Sequence, residues 1–438
     1  MFTDTVLNAA VCMKRVIIQR GQSRTQTAVW FDKECHMKRK EVRKCLRHFR
    51  YTNVKEDYGL YEEQLKEYNG LKNLKRNQEK KASLDALLDS MQNPKDFWGE
   101  IRRHRTKRRV MNCIEKEDWL KHFEGVFNEG VDINEEEATC STADGVFNDF
   151  LDAEITEAEI RKAIKHLKTG KAVGPDSILA EMIKTVENEM LPFLNFFFNY
   201  LFLKGHFPLQ WSKATIIPLC KKGDRNNPDN YRGISLLSIL SKVFTQVINN
   251  RLVLWSEENS VLNDVQAGFR KGRSTTDHIF TLHAAIEKHL LKKCKLYVGF
   301  IDFRKAYDTV NRTVLWSVLM RSGVSGRMLR MIRAMYATVE ARVLSNEGYT
   351  DYFECLQGLK QGCVMSPMLF SLLINELANE IIEKGKHGVS LGPTELELFL
   401  LLFADDLTLI ASTVIGFTEP VKHFMYSNST TGSYCKSG

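Results

Sequence analysis

The chain has 438 residues, 43 % of them hydrophobic and 26 % charged, with a formal net charge of +8. That length and apolar content support a packed core in two or three domains and exclude a chain disordered throughout. No run of about 20 apolar residues is present, which argues against an integral membrane protein. The ten cysteines show neither C-x-x-C pairing nor a zinc-type histidine spacing, and the opening MFTDTVLNAAVCMKRV lacks the layout of a secretory signal. Reduced thiols in an intracellular compartment, nuclear or cytoplasmic, are the expectation.

Charge is divided unevenly along the chain. Residues 1–113 carry a net +12, residues 114–160 a net −13 and residues 161–438 a net +9. Clustered positive charge attracts phosphate backbones, so the division suggests units with different partners. The run Arg102-Arg103-His104-Arg105-Thr106-Lys107-Arg108-Arg109 fits either a nucleic-acid contact or a localisation signal.

From Asp32 to Gln92 the abundance of Lys, Glu, Leu and Arg predicts long surface helices, broken at Asn93-Pro94. A short helix should open at Asp96. Trp119, Phe123 and Phe127, four residues apart, would line the buried face of another. The acidic stretch from Glu135 to Asp152 reads as an exposed linker. Thr156 and Glu159 stand at capping-box spacing ahead of a helix to Leu167. Leu191 to Leu203 suits a buried helix or strand. Beyond it the spacing predicts a strand over 214–219, a helix over 238–255, a strand over 295–301 and a helix over 314–321 ended near Gly323. Segments 339–344 and 352–356 flank Asn346-Glu347-Gly348 as a hairpin. A helix over 367–383 precedes a strand over 396–404, a tight turn at Asp405-Asp406 and a strand over 407–411. Helices on one side of a mostly antiparallel sheet would make an α+β fold.

Asp302 ends the apolar run Tyr297 to Ile301, and a carboxylate buried there unpaired would be costly. Asp405 and Asp406 follow another apolar strand, where adjacent carboxylates repel unless a cation or a shared proton relieves them. Such hard oxygen ligands suit Mg²⁺, with Mn²⁺ as the alternative. Two ions about 3.5–4 Å apart could activate a hydroxyl and stabilise a departing pyrophosphate.

The segment Ile301 to Asp308 (IDFRKAYD) resembles reverse transcriptase motif A, Gly358 to Pro367 (GLKQGCVMSP) motif B, and Phe403 to Asp406 (FADD) motif C, all in the family's order. Upstream, Gly170 to Asp176, Ile217 to Asp224, Asn230 to Leu236 and Gln266 to Thr275 resemble the fingers motifs of non-LTR, LINE-type retrotransposons. The resemblance implies right-hand polymerase fingers and palm over residues 161–412. Ahead of these would lie a basic helical N-terminal extension over 1–113 and an acidic helical connector over 114–160.

The same resemblance implies a set of roles. Asp302 and Asp405 would ligate two metal ions and Asp406 would support them. Tyr307 would act as the gate against a ribose 2′-hydroxyl. Lys221 or Lys222 and Arg232 would grip the triphosphate, for which a point ammonium and a bidentate guanidinium are suited. Phe303, Gln361 and Gly362 would complete the nucleotide pocket. The loop bearing Arg270, Lys271 and Arg273 suits template phosphates. An RNA template, a DNA primer and dNTPs would be the partners, with a separate endonuclease, since the 29 residues ahead of Trp30 leave no room for one.

After Ser412 the sequence TVIGFTEPVKHFMYSNSTTGSYCKSG departs from the family, which continues into a further motif and a thumb. Residues 413–438 are therefore expected to be a disordered tail, with the thumb missing. Two functions follow from these residues: an RNA-directed DNA polymerase, or a catalytically impaired nucleic-acid-binding remnant of such an element.

Overall fold

The computed structural model describes residues 30–91, 93, 96–99, 101, 112–128, 147–303, 305–385, 387–391 and 397–419. The basic run at 102–109 lies outside them. The described residues fall into two compact units, one within Met13–Met111 and the other from Asn112 onward.

The first unit is a helical hairpin, α1 (Lys33–Thr52) and α2 (Lys55–Ser90). Asp32 caps α1 by accepting from the Cys35 N–H at 3.0 Å, and Asn53 ends it in the left-handed region at φ 56°. Lys75 on α2 reaches Asp32 at 2.7 Å and Glu34 at 2.8 Å, and Lys38 reaches Glu67 at 2.7 Å. These cross-links fix the antiparallel register of a pair that buries only Cys35 and Val42 among its described residues. Residues 96–99 are helical as expected.

The second unit begins with α3 (Lys116–Asn128), whose Trp119, Phe123 and Phe127 are buried together as their spacing predicts. Next come α4 (Glu157–His166), α5 (Ala180–Thr185), α6 (Glu187–Lys204) and α7 (Leu209–Ser212). Strands β1 (Lys213–Cys220) and β2 (Tyr231–Leu236) form an antiparallel hairpin, followed by α8 (Ile239–Glu258) and α9 (Thr275–Leu291). After β3 (Tyr297–Asp302) the chain passes through α10 (Arg312–Arg321) and α11 (Gly326–Ala337). It then forms β4 (Glu340–Ser345), β5 (Gly348–Tyr349), β6 (Phe353–Glu354) and α12 (Ser366–Lys384). Strands β7 (Val389–Ser390), β8 (Glu397–Leu398), β9 (Leu400–Phe403) and β10 (Asp406–Ala411) complete it.

Among the described residues the strands make a five-stranded sheet with β2-β1-β4-β5 in order and β6 beside β4, a three-stranded sheet β3-β10-β9, and the pair β7-β8. Helix and sheet are thus mixed, and the pairing is antiparallel apart from β1 beside β4. One apolar core runs from Trp119 through Phe198, Phe244 and Leu369 to Leu400 and Leu409. No helix among the described residues is long and apolar enough to cross a membrane.

Several local expectations are corrected. The acidic stretch does not stay exposed to its end: Leu151 and Asp152 are buried, and Asp152 accepts from the Ser325 hydroxyl at 2.5 Å. The apolar segment 191–203 is not wholly buried, because Phe193, Phe196, Tyr200 and Leu203 form an exposed stripe on α6. The strand expected over 396–404 is interrupted at Phe399, where its partner changes from β7 to β10. The hairpin expected around residues 346–348 is divided into β5 and β6, since between them the Thr350 N–H donates to the Val343 carbonyl and the Thr350 hydroxyl accepts from the Val343 N–H. The segment expected to be a disordered tail starts as a helix over 414–419. Phe417 packs on Gly299 of β3, where a Cβ would stand 2.6 Å from the ring.

Arg251 on α8 fastens the upstream segment to the core. Its almost fully buried guanidinium meets Glu159 at 2.7 and 2.9 Å and the carbonyls of Ala153 and Glu154. Glu159 simultaneously closes the capping box of α4 with Thr156. Arg251→Ala should therefore cost about 3–5 kcal/mol, because it strands a half-buried carboxylate and several carbonyls. Equilibrium denaturation in urea checks this, and a loss below about 1 kcal/mol, the level of an exposed pair, would contradict it.

Candidate active site

The three-stranded sheet sorts its side chains by the period of two. In the register of β10 with β3, Asp406 lies opposite Asp302, Leu407 opposite Ile301 and Thr408 opposite Phe300. Leu400, Leu402, Leu407 and Leu409 enter the core, with Ile301 packed against it. The other face carries Asp302 and Asp406, both exposed, beside the exposed Phe300. Strand β9 returns with Phe403 opposite Asp406, so Ala404 and Asp405 alone make the link. The tight turn is therefore one residue earlier than expected, and Asp406 belongs to the strand. Ala404 has φ 60°, a conformation that an L side chain rarely adopts.

The carboxylates act on one another. Burial, then the negative charges of Asp405 and Asp302, push the Asp406 carboxyl above its ordinary value, and Lys221 offsets part of that shift. Mutual repulsion of hard oxygen donors is the chemistry a divalent cation relieves. Among the described residues, however, no three Asp, Glu, His or Cys side chains converge closely enough to hold an ion as they stand. Of the three carboxylates expected at one point, the backbone register opposes Asp302 and Asp406, and the side chains of the three do not converge as they stand. Asp302 and Asp406 face each other across a ladder whose directly opposed Cα atoms are about 4.5–5.5 Å apart.

Tyr307 lies in the turn after β3. Its ring stacks on Phe370 of α12 at 4.7 Å, and it is buried. Its hydroxyl is buried without a hydrogen-bond partner, an orphaned polar atom beside the carboxylates. Burial and then Asp405 hold the phenol protonated well above its usual range, against Arg232. Phe303 is half-buried against the core.

The loops after β3 and before α12 are stitched together. The Leu359 N–H donates to the Tyr307 carbonyl at 2.7 Å, the Gly358 N–H to the Val310 carbonyl at 2.8 Å, and Gln361 Nε2 to Asp308 Oδ1 at 2.7 Å. The Gln361 carbonyl accepts from the Ser235 N–H of β2 at 2.7 Å. Gly362, at φ 119°, lies where a Cβ would stand 2.5 Å from the Ser235 carbonyl, so no larger residue fits the junction. Arg312 supports it from below by donating to the carbonyls of Gln357, Gly358 and Tyr336 at 3.1–3.2 Å.

Lys221 and Lys222 are exposed in the loop joining β1 to β2, and Arg232 is exposed on β2 opposite Leu219. The Arg232 charge reaches Tyr307 and Asp308, as the Lys221 charge reaches Asp406. The loop at 268–273 behaves differently from expectation at one residue. Arg270 is turned inward, its guanidinium engaged by Glu257 at 2.8 Å on two nitrogens and by the Asn263 and Gln266 carbonyls. As it stands it clamps the loop. Lys271 is exposed, and Arg273 is paired with Asp264 at 2.6 Å. Asp308 and Arg312 were not singled out from sequence. A lone acid inside Ala-Tyr-Asp-Thr-Val was the available signal for Asp308, whereas nothing local marks Arg312.

Residues 220–424 match the reverse transcriptase (RNA-dependent DNA polymerase) family, a match that continues past Ser412. The chain is 25 % identical over 384 residues to the transposon TX1 uncharacterized 149 kDa protein of Xenopus laevis, covering 82 % of this chain and 29 % of that one. It is 28 % identical over 291 residues to the probable RNA-directed DNA polymerase from transposon BS of Drosophila melanogaster, covering 64 % and 30 %. With the Pol polyprotein of the type-1 retrotransposable element R2 of Popillia japonica it shares 29 % identity over 259 residues, 58 % and 34 % of the two. The chain thus spans about a third of the length of these relatives. Among solved structures, apo telomerase from Candida tropicalis truncated from the C-terminal domain aligns with a TM-score of 0.38 and 15 % identity, over 58 % of this chain and 54 % of that one.

Burial pushes the Asp308 carboxyl up to about 6, more than the Gln361 bond and the charges of Lys305 and Arg232 pull it down. Because the folded value lies above the unfolded one, this group's contribution is fully present below about pH 4 and is lost as pH rises through about 6. The loss should amount to about 2–3 kcal/mol. Urea denaturation of the wild type and of Asp308→Asn at pH 5 and pH 7 checks the sign: the wild type should lose more stability than the variant between the two.

Proposed function

Since residues 220–424 are a reverse transcriptase domain of the non-LTR retrotransposon kind, we propose that the chain catalyses RNA-directed DNA synthesis. The reaction would transfer a nucleotidyl group from a dNTP to a primer 3′-hydroxyl. The observation that carries this reading is the register that sets Asp302 opposite Asp406, which lies within the field of Lys221, with Asp405 one residue away. In this reading the β3-β10-β9 sheet is the floor of a palm and the β1-β2 hairpin belongs to the fingers.

Asp302 and Asp405 would hold two Mg²⁺ ions, with Asp406 in support, and Mn²⁺ suits the same oxygens. When bound, the ions would acidify the primer hydroxyl and neutralise the departing pyrophosphate. The protein's own groups bind and orient. Lys221, Lys222 and Arg232 face solvent from one hairpin and would grip the triphosphate, the guanidinium by two parallel bonds. Tyr307, pinned by Phe370, would present a rigid edge to the sugar, with Phe303 beside it. Gln361 and Gly362, fixed on Asp308 and Ser235, would support the nascent base pair. Lys271 and Arg273 would meet the template backbone, the latter by exchanging Asp264 for a phosphate.

Primer extension on poly(rA)/oligo(dT) tests the reading. Asp405→Ala should lower the rate by a factor on the order of 10³, comparable with removal of a principal electrostatic group. Equal rates for the two proteins would remove the enzymatic reading. In the same assay Tyr307→Val should admit ribonucleotides, and an unaltered preference for deoxyribonucleotides would take the gate away from this residue.

A further inference from the structure

Gln266 sits in the loop between α8 and α9, far from the aspartates in sequence, and is fully buried. Its backbone neighbours extend the edge of the catalytic sheet: the Leu402 N–H donates to the Val265 carbonyl and the Ala267 N–H to the Leu402 carbonyl, both at 2.9 Å. Its side chain then closes on the turn. Oε1 accepts from the Ala404 N–H at 3.1 Å and from the Gly268 N–H at 2.8 Å, while Nε2 donates to the Ala404 carbonyl at 3.4 Å. Both backbone polar groups of Ala404 are thus held by one amide.

Two further features converge on the same residue. Ala404 is the residue at φ 60°, a conformation kept only where surroundings enforce it. Gly268 lies so close that a Cβ there would stand 2.2 Å from the Ala404 nitrogen and 2.9 Å from its Cα. The requirement at position 266 is a planar group that accepts and donates at once, which among side chains of this length is an amide. A carboxylate would lose the donor, and a thioether would lose both.

We propose that Gln266 is a positioning residue of the polymerase site. Its amide holds Ala404 in the left-handed conformation and thereby sets the direction of the Asp405 and Asp406 carboxylates. This rests on the reverse transcriptase reading for its catalytic consequence but not for its structural one. Arg270 completes the device by donating to the Gln266 carbonyl and anchoring the loop to Glu257 on α8. The loop that carries Lys271 and Arg273 is therefore coupled mechanically to the catalytic turn.

The test compares the full-length wild type with Gln266→Met, which keeps length and apolar volume and removes the hydrogen bonds. Mn²⁺ alone, followed by electron paramagnetic resonance, is the probe of the carboxylates, and amide exchange over 399–411 is the probe of the turn. Expected results are at least a tenfold weaker Mn²⁺ affinity, lost protection at the turn, and a kcat lower by about 100-fold, the scale of an ångström-sized misplacement. Adding Ala404→Gly to Gln266→Met should recover affinity, because glycine adopts the turn conformation unaided. Wild-type Mn²⁺ affinity and turn protection in Gln266→Met would overturn the proposal. So would a double variant no better than Gln266→Met, including the case in which both fail to fold. If the wild type itself extends no primer, the polymerase reading falls, while the Mn²⁺ and exchange comparisons still decide the role of Gln266.

Discussion

The pairing of β10 with β3 is the constraint on which the site depends. Side chains alternate across a strand, so a slip of one residue would turn Asp406 into the core and Leu407 into solvent. The leucines at 400, 402, 407 and 409, buried on one face, make such a slip prohibitively costly. The opposition of Asp302 and Asp406 is thus enforced by apolar residues behind them, not by any attraction between the aspartates, which repel.

Around that sheet the molecule places positive charge and close backbone contacts. The exposed Lys221 of the β1-β2 hairpin works against the carboxylate repulsion from another sheet. The loops bearing Tyr307 and Gln361 are joined to each other and to β2 by main-chain bonds at 2.7–2.8 Å. A change in any one of these three segments is consequently felt by the other two. The buried base of the junction is costly to assemble. Lys360 is pushed down to about 8 by burial, its ammonium offered the Met335 carbonyl at 3.3 Å and the rings of Phe207 and Tyr336. Together with Asp308, it places two poorly solvated ionisable groups behind the loops bearing Tyr307 and Gln361, a distribution that favours a functional site over a merely stable one.

Much of this was legible in the residues because the signals are local. Periodicity alone placed α3 and its buried Trp119, Phe123 and Phe127. The capping box placed the start of α4, and apolar runs bounded by polar residues placed β1, β3 and α12. Legibility failed where a distant partner decides the outcome. Asp152 looks like part of a solvated acidic run until Ser325 covers it. Arg270 reads as a solvent-facing cation until Glu257 pairs with it. Residues 414–419 carry no strong helical pattern, but Gly299 leaves a space on β3 that Phe417 fills.

The sequence by itself determined the family resemblance, the chain order of the three aspartates and the alternation that sorts core from solvent, since each rests on residues adjacent or at a fixed period. Only the tertiary structure decided which aspartates face each other, where the turn lies, and that Gln266, Asp308 and Arg312 bond to the segments around them. These depend on contacts between segments tens to more than a hundred residues apart. A hydrogen bond such as that from the Ala404 N–H to Gln266, 138 positions away, leaves no periodic or compositional trace at either end.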